Sequence, residues 1–455
     1  MDSGSFENQF RSPGFSRAVC ALWVAWMLVL PLGHLTGLRN TLAVVTLILT
    51  FAITGLSPWR ELPARWALLL FIAWATLSLL WSADPGLTWS KLRTDLFIPI
   101  WAYGAAFTWA RSSRNRESIF GGLAIGMILL ALISMIALLP LWGLDRYIPE
   151  ARFASLERPI PIWYPGVGDA SSYAILCVGP FLSWVAWNSR WRAKISLLIV
   201  IATLTAIAVS MNRNALVVLP FAVAAFFIVR AWIQASPREL QPGVSRPHAS
   251  LKTTIAALVV CALLIAPFLM ETVSRERLAS SGQPIPPWGH ATLTMVSHDP
   301  RPRMWQEYLH LGMSHPWVGV GFGRLVPGVA YHTRDDPILT QADPNAFSHA
   351  HNIFINLWLQ LGLVGVILYL AVFIGIVRWA IRHARANRIA QVAFAGVVTV
   401  LLAALLRDLT DDFLIFAMGT VFWVSLGTLL GAQTDGRVLP GTPLATGFER
   451  IQTPS

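Results

Sequence analysis

The chain reads as an all-α polytopic integral membrane protein of about twelve transmembrane helices, with one long extramembrane loop between the ninth and the tenth. Its composition is 55% hydrophobic and only 13% charged, and its mean hydropathy is +0.58. Those values exclude an ordinary soluble domain. Apolar runs near the ~20 residues needed to cross a bilayer recur from Ala18 to Gly431.

In order, the runs lie near 18–35, 41–56, 66–82, 96–110, 119–141, 170–187, 194–211, 214–234, 253–270, 352–378, 390–407 and 412–431. The first follows a polar stretch of 17 residues without a small-residue cleavage site, so it is expected to be an anchor and not a removed signal peptide. The run at 96–110 is short, and Asn212–Asn214 reads as a tight turn between two helices. The expected division is helices 1–9 in 1–270, the loop in 271–351, helices 10–12 in 352–431 and a cytoplasmic tail in 432–455.

Alternate connections are basic: Arg60 and Arg65; Arg111, Arg114 and Arg116; Arg190, Arg192 and Lys194; Arg238, Arg246 and Lys252; Arg378, Arg382, Arg385 and Arg388. Basic loops stay in the cytoplasm, so both termini are expected there and the 271–351 loop outside. The net charge of +11 is mostly this topogenic signal, and a nucleic-acid partner is not expected. Cys20, Cys177 and Cys261 fall inside apolar runs, so no disulfide framework holds the loop. Many of the 21 tryptophans sit at predicted helix ends, among them Trp81, Trp109 and Trp317, as interfacial anchors do.

The loop carries seven of the ten histidines: His290, His298, His310, His315, His332, His349 and His351. Up to Pro302 it is rich in Pro, Ser and Gly and reads as irregular connection. A helix is expected near 303–313, lying along the membrane face on Met304, Trp305, Tyr308 and Leu309. His315-Pro316 stops it, and WVGVGFG follows. With neither a preceding strand nor a Walker lysine, these glycines are not a nucleotide loop, and a flexible turn over a site fits them better. The chain re-enters the membrane through SHAHN, so that His351-Asn352 stands nine residues before Gly362-x-x-Gly365, whose glycines would let a neighbouring helix pack closely. His349 and His351 have His-x-His spacing, but on a helix their side chains diverge, and no metal site is expected. Arg213, in SMNRNAL, is either a snorkelling helix-end cation or, with Arg303, a clamp for a diphosphate. Asp408, Asp411 and Asp412 beside Arg407 either pair with such arginines or serve the site directly.

An arginine in a mid-chain membrane helix, Arg303 followed by Trp305, HPWVGVGFG and SHAHN with nine residues to Gly-x-x-Gly together resemble the O-antigen ligase and polymerase superfamily, most of all the lipopolysaccharide O-antigen ligases. The resemblance implies a GT-C-like, metal-independent, inverting glycosyltransferase in the bacterial inner membrane, facing the periplasm. Its donor would be O-antigen on undecaprenyl diphosphate and its acceptor lipid A-core oligosaccharide, amid membrane lipids and without cofactor or ATP. It places the general base at His351 and the diphosphate-binding arginines at Arg213 and Arg303, with Asn352, His349 and one of Asp408, Asp411 and Asp412 in support. The absence of any Asp-x-Asp, and of acid in the first outer loop GHLTGLRN, disfavours metal-dependent membrane glycosyltransferases. A neutral histidine suits deprotonation of a sugar hydroxyl near pH 7, and two arginines suit a departing diphosphate.

Three alternatives compete. A polysaccharide polymerase would use the same fold and donor. A protein O-oligosaccharyltransferase fits less well, because the tail after Gly431 is short. A transporter or flippase would place polar residues at the bilayer midplane and show repeated halves, whereas here they gather at the outer face. Reporter tags at either terminus are expected to be cytoplasmic and one at Pro286 exported, as read by paired alkaline phosphatase and fluorescent protein fusions.

Overall fold

The computed structural model describes residues 13–55, 57–142, 167–187, 212–235, 286–297, 299–342, 349–409 and 416–434, with isolated positions between them. Among these residues all regular elements are helical. Six helices are long and apolar enough to cross a membrane: Thr36–Thr54, Ser113–Met135, Gly168–Trp187, Asn214–Ile233, Ile353–His383 and Arg388–Asp408. The expected twelve spans, and the GT-C-like architecture that accompanied them, are thereby corrected to an all-α chain with six such helices among the described residues.

The difference has physical causes. Pro13–Val29, Arg65–Leu80 and Ala417–Ala432 are apolar helices of 10–17 residues. At about 1.5 Å per residue they reach at most about 26 Å, short of a hydrocarbon core of roughly 30 Å. The run at 96–110 becomes the 12-residue helix Ile98–Trp109, which continues a π-helical turn, Leu92–Phe97, that carries Arg93 and Asp95. The run at 194–211 lies mostly, and that at 253–270 wholly, outside the described residues, as do the ends before Pro13 and after Thr434.

Helix starts follow the sequence closely. Asn387 caps Arg388–Asp408 by accepting from Ala390 N at 2.8 Å, and Asp84 caps Pro85–Lys91 by accepting from Leu87 N at 2.8 Å. Side-chain oxygens thus satisfy amides that the helix leaves free. Asn212 accepts from Asn214 N at 3.1 Å, so the expected turn there opens the helix Arg213–Ala235. Packing relies on small residues: a Cβ on Gly427 or Gly431 would meet the carbonyl oxygens of Tyr103 or Phe107 at 2.5 and 2.3 Å, so this Gly-x-x-x-Gly seats Phe416–Ala432 on Ile98–Trp109. Trp109, expected at an interface, is buried in that core.

The decisive feature is a break in Ile353–His383. Gly362 has φ 65° and ψ −172°, and the segment 316–321 is bonded into the gap. Leu363 N donates to Pro316 O at 2.9 Å and Val364 N to Trp317 O at 3.4 Å, while Val320 N and Gly321 N donate to Leu359 O at 3.0 Å and Gln360 O at 2.9 Å. Leu361 O accepts from the indole of Trp74 at 3.0 Å. Backbone groups freed by the break are therefore paired again inside the protein, which a low-dielectric surrounding demands. WVGVGFG is thus a docked turn and not a flexible cover. A Cβ on Gly362 would lie 2.1 Å from the Trp317 carbonyl, so this glycine admits a loop and not a neighbouring helix.

The loop helix runs from Arg301 to Gly312, near the expected 303–313, and buries Met304 and Tyr308 against Leu339, Ala350 and Leu359. Upstream, buried Glu271 accepts from the amides of Gly289, Ala291 and Thr292 at 2.9–3.0 Å. Burial alone would raise its pKa, but these donors outweigh burial and hold it below the ordinary carboxylate value.

Gly362→Ala combines a left-handed φ with a backbone clash and is expected to destabilise by roughly 2–6 kcal/mol. Gly121→Ala, inside Ser113–Trp142 where a Cβ meets nothing within 4 Å, should instead raise stability by up to about 1 kcal/mol. Thermal unfolding of the purified variants checks both.

Candidate active site

The site is assembled where the chain enters Ile353–His383. Asn352 is the N-cap of that helix: its Oδ1 accepts from Phe354 N at 3.0 Å and Ile355 N at 3.2 Å, and its Nδ2 donates to Leu409 O at 3.1 Å. Its amide is therefore used structurally, fixing the helix start to the end of Arg388–Asp408. One residue earlier, His351 is half-buried with φ 48°, a left-handed conformation uncommon for a non-glycine residue and shared among the described residues with His34, Ala64 and His332.

His349 and His351 do not diverge as a helical spacing would require. Both precede the helix, and their rings lie 4.1 Å apart at 52°. Between them Ala350 is held from two sides: its N–H donates to Asn356 Oδ1 at 2.7 Å, and its carbonyl accepts from the Trp305 indole at 2.7 Å. That clamp orients both histidines through the backbone. Asn356 also donates to Asp412 Oδ2 at 2.8 Å, and both residues are buried. Of the three candidate acids, Asp412 is therefore tied to the histidine turn. Asp408 instead lines an apolar groove between Ile353–His383 and Arg388–Asp408, and Asp411 lies outside the described residues.

Arg324 touches this cluster at His349. Its Nη2 lies 3.3 Å from His349 Nδ1 and also contacts Nε2. It lines a cavity with Asp95, Gln360 and Asp412, walled by Phe71, Leu96, Phe322, Leu357 and Trp423. Gln360 Oε1 accepts from Gly323 N at 2.8 Å, so the docked turn aims Arg324 at the cavity. Lys91 lies 3.9 Å from Asp95 on the same side. The cavity is small, about 70 Å³, with one guanidinium and two carboxylates set in apolar walls, and neither histidine is among the residues that line it.

The expected arginines are placed differently. Arg303 is exposed on the helix that Trp305 pins to Ala350, and it makes no hydrogen bond among the described residues. Arg213 opens the helix Arg213–Ala235, but its side chain lies outside the described residues. No group of three His, Cys, Asp or Glu among the described residues could hold a metal. Sequence reasoning missed Arg324, Asn356, Gln360 and Trp305 as site residues. One signal was available: Asn352, Asn356 and Gln360 recur every four residues, a polar stripe on an otherwise apolar helix.

Residues 197–370 match the family model described as O-antigen ligase. The matched segment contains Arg213, Arg303, the docked turn, both histidines and the helix break. No curated protein matches the chain.

Asn356→Ala leaves the Ala350 amide and the Asp412 carboxylate without their shared partner and is expected to cost about 2–4 kcal/mol. Chemical or thermal unfolding of the variant, compared with a surface substitution such as Arg382→Gln, measures it.

Proposed function

With residues 197–370 assigned to the O-antigen ligase family, we propose that the protein is an O-antigen ligase of the bacterial inner membrane, acting at the periplasmic face. It transfers O-antigen from undecaprenyl diphosphate to a hydroxyl of lipid A-core oligosaccharide. The reading is carried by the histidine turn: His351 stands in a left-handed conformation against His349, which Arg324 contacts, and the turn is fixed through Ala350 by Trp305 and Asn356.

The acceptor hydroxyl attacks the anomeric carbon of the donor sugar and gives its proton to His351. The bond from that carbon to the diphosphate oxygen breaks, and its electron pair leaves with the lipid diphosphate. Attack and departure occur on opposite faces, so the anomeric configuration inverts. Arg213 and Arg303 bind the diphosphate, and their planar guanidinium forks match its oxygens. Arg324 adds positive potential at the cavity, and Asp412, through Asn356, keeps the histidine turn in register. The energy is already stored in the sugar–diphosphate bond, so neither ATP nor a metal is called for.

Purified protein is expected to transfer glycan from the lipid carrier to lipid A-core in excess EDTA without ATP. His351→Ala should lower turnover by roughly 10² to 10⁴ while retaining donor binding. His349→Gln, which keeps a hydrogen-bond acceptor for Arg324, should fall much less. Elongation of carrier-linked glycan without transfer to lipid A-core would identify a polymerase instead. Full activity in His351→Ala would remove the proposed base.

A further inference from the structure

At the N-terminal end of Arg65–Leu77, a helix about 20 Å long, lies a second cavity. It has a volume of about 420 Å³ and is lined by Trp59, Leu68 and Ile72, with Arg60 and Arg65 at its mouth. We propose that it binds an anionic glycerophospholipid, with one acyl chain in the cavity and the phosphate between the two guanidinium groups.

Charge makes the first part of the argument. Glu61, the acid nearest in sequence, is already paired with Arg111 at 2.7 Å, and that guanidinium also lies over the Phe107 ring at 4.8 Å. Arg60 and Arg65 pair with no carboxylate among the described residues; Arg65 instead lies over Trp66 at 5.1 Å. Two cations bordering an apolar cavity without a counterion form a site for a multiply oxygenated anion. A zwitterionic headgroup fits less well, because its ammonium meets no unpaired acid here.

The walls make the second part. Leu68 is buried, whereas Trp66 and Leu69 are 67% and 54% exposed on an otherwise apolar helix. Both side chains also line the cavity, so its apolar wall continues onto an exposed apolar surface. Its volume falls within the roughly 300–1,000 Å³ of ordinary ligand pockets. Free phosphate would fill the mouth and leave the apolar part empty. A lipid occupies both. Basic pockets between membrane helices are a recurrent site for anionic lipid headgroups, and the site is independent of the glycosyl transfer proposed above.

The test uses the full chain, purified in a non-ionic detergent. Dioleoylphosphatidylglycerol, dioleoylphosphatidylcholine and inorganic phosphate are titrated separately, with melting temperature and lipid retention by native mass spectrometry as readouts. Phosphatidylglycerol should be retained and should raise the melting temperature, whereas phosphatidylcholine and inorganic phosphate should not. Arg60→Gln/Arg65→Gln should weaken phosphatidylglycerol binding roughly tenfold. Arg60→Lys/Arg65→Lys should keep most of it, and Arg378→Gln/Arg382→Gln, which removes two exposed charges elsewhere, should bind as wild type. Equal retention of phosphatidylcholine, an equal shift with phosphate alone, or undiminished binding in the double glutamine variant overturns the proposal. Should that variant fail to fold, the wild-type comparison of the two lipids decides by itself.

Discussion

The exchange of backbone hydrogen bonds between the broken helix and the segment 316–321 is the constraint on which the rest of the architecture depends. Inside an apolar bundle an unpaired amide or carbonyl costs several kcal/mol. The break at Gly362 is tolerated because Pro316, Trp317, Val320 and Gly321 present complementary groups at 2.9–3.4 Å. Trp74 and Trp81 add indole donors to Leu361 O and Val318 O, and Phe322 N donates to Ser78 Oγ at 3.0 Å. Parts of the chain more than two hundred residues apart are thereby locked into one unit. Tryptophans that look like generic interfacial anchors are here specific hydrogen-bond donors.

The candidate site inherits its order from that unit. The docked turn ends at Gly323, whose amide is held by Gln360, and the next residue is Arg324. Four residues before Gln360 stands Asn356, which joins Ala350 to Asp412. One face of a single helical segment therefore orients the turn bearing the cation, the turn bearing the histidines and the acid after Arg388–Asp408. The arrangement is preorganised: side chains that would touch a substrate are held by neighbours that are themselves buried and bonded. Such preorganisation is what stabilising a developing charge requires, because little reorganisation then remains for the reaction step.

Positive charge is used in two different ways. Near His349 it is enclosed, with Arg324 and Lys91 set among Asp95 and Asp412 in apolar walls. At Arg60 and Arg65 it rims an apolar cavity, and the one adjacent acid is already engaged by Arg111. The first setting is enclosed and carries its own carboxylates, whereas the second pairs with no carboxylate among the described residues.

The sequence by itself determined the apolar surroundings, the helical class and the resemblance to one family. Hydropathy is a local property, so long apolar helices such as Ile353–His383 and Arg388–Asp408 were legible from composition and spacing, whereas the capping roles of Asn352 and Asn387 emerged only from the structure. The motif around His351 and Gly362 was legible too, together with the family segment that contains it. The number of long apolar spans was not, because runs such as 66–82 and 96–110 are cut short by turns, charges and π-helical geometry that hydropathy averages away. Only the tertiary structure decided that Gly362 receives a loop, that His349 and His351 come together, and that Arg324 and Asp412 join them. Those outcomes depend on contacts between residues 25 to 287 positions apart, and no local periodicity encodes which distant backbone group will fill a break in a helix.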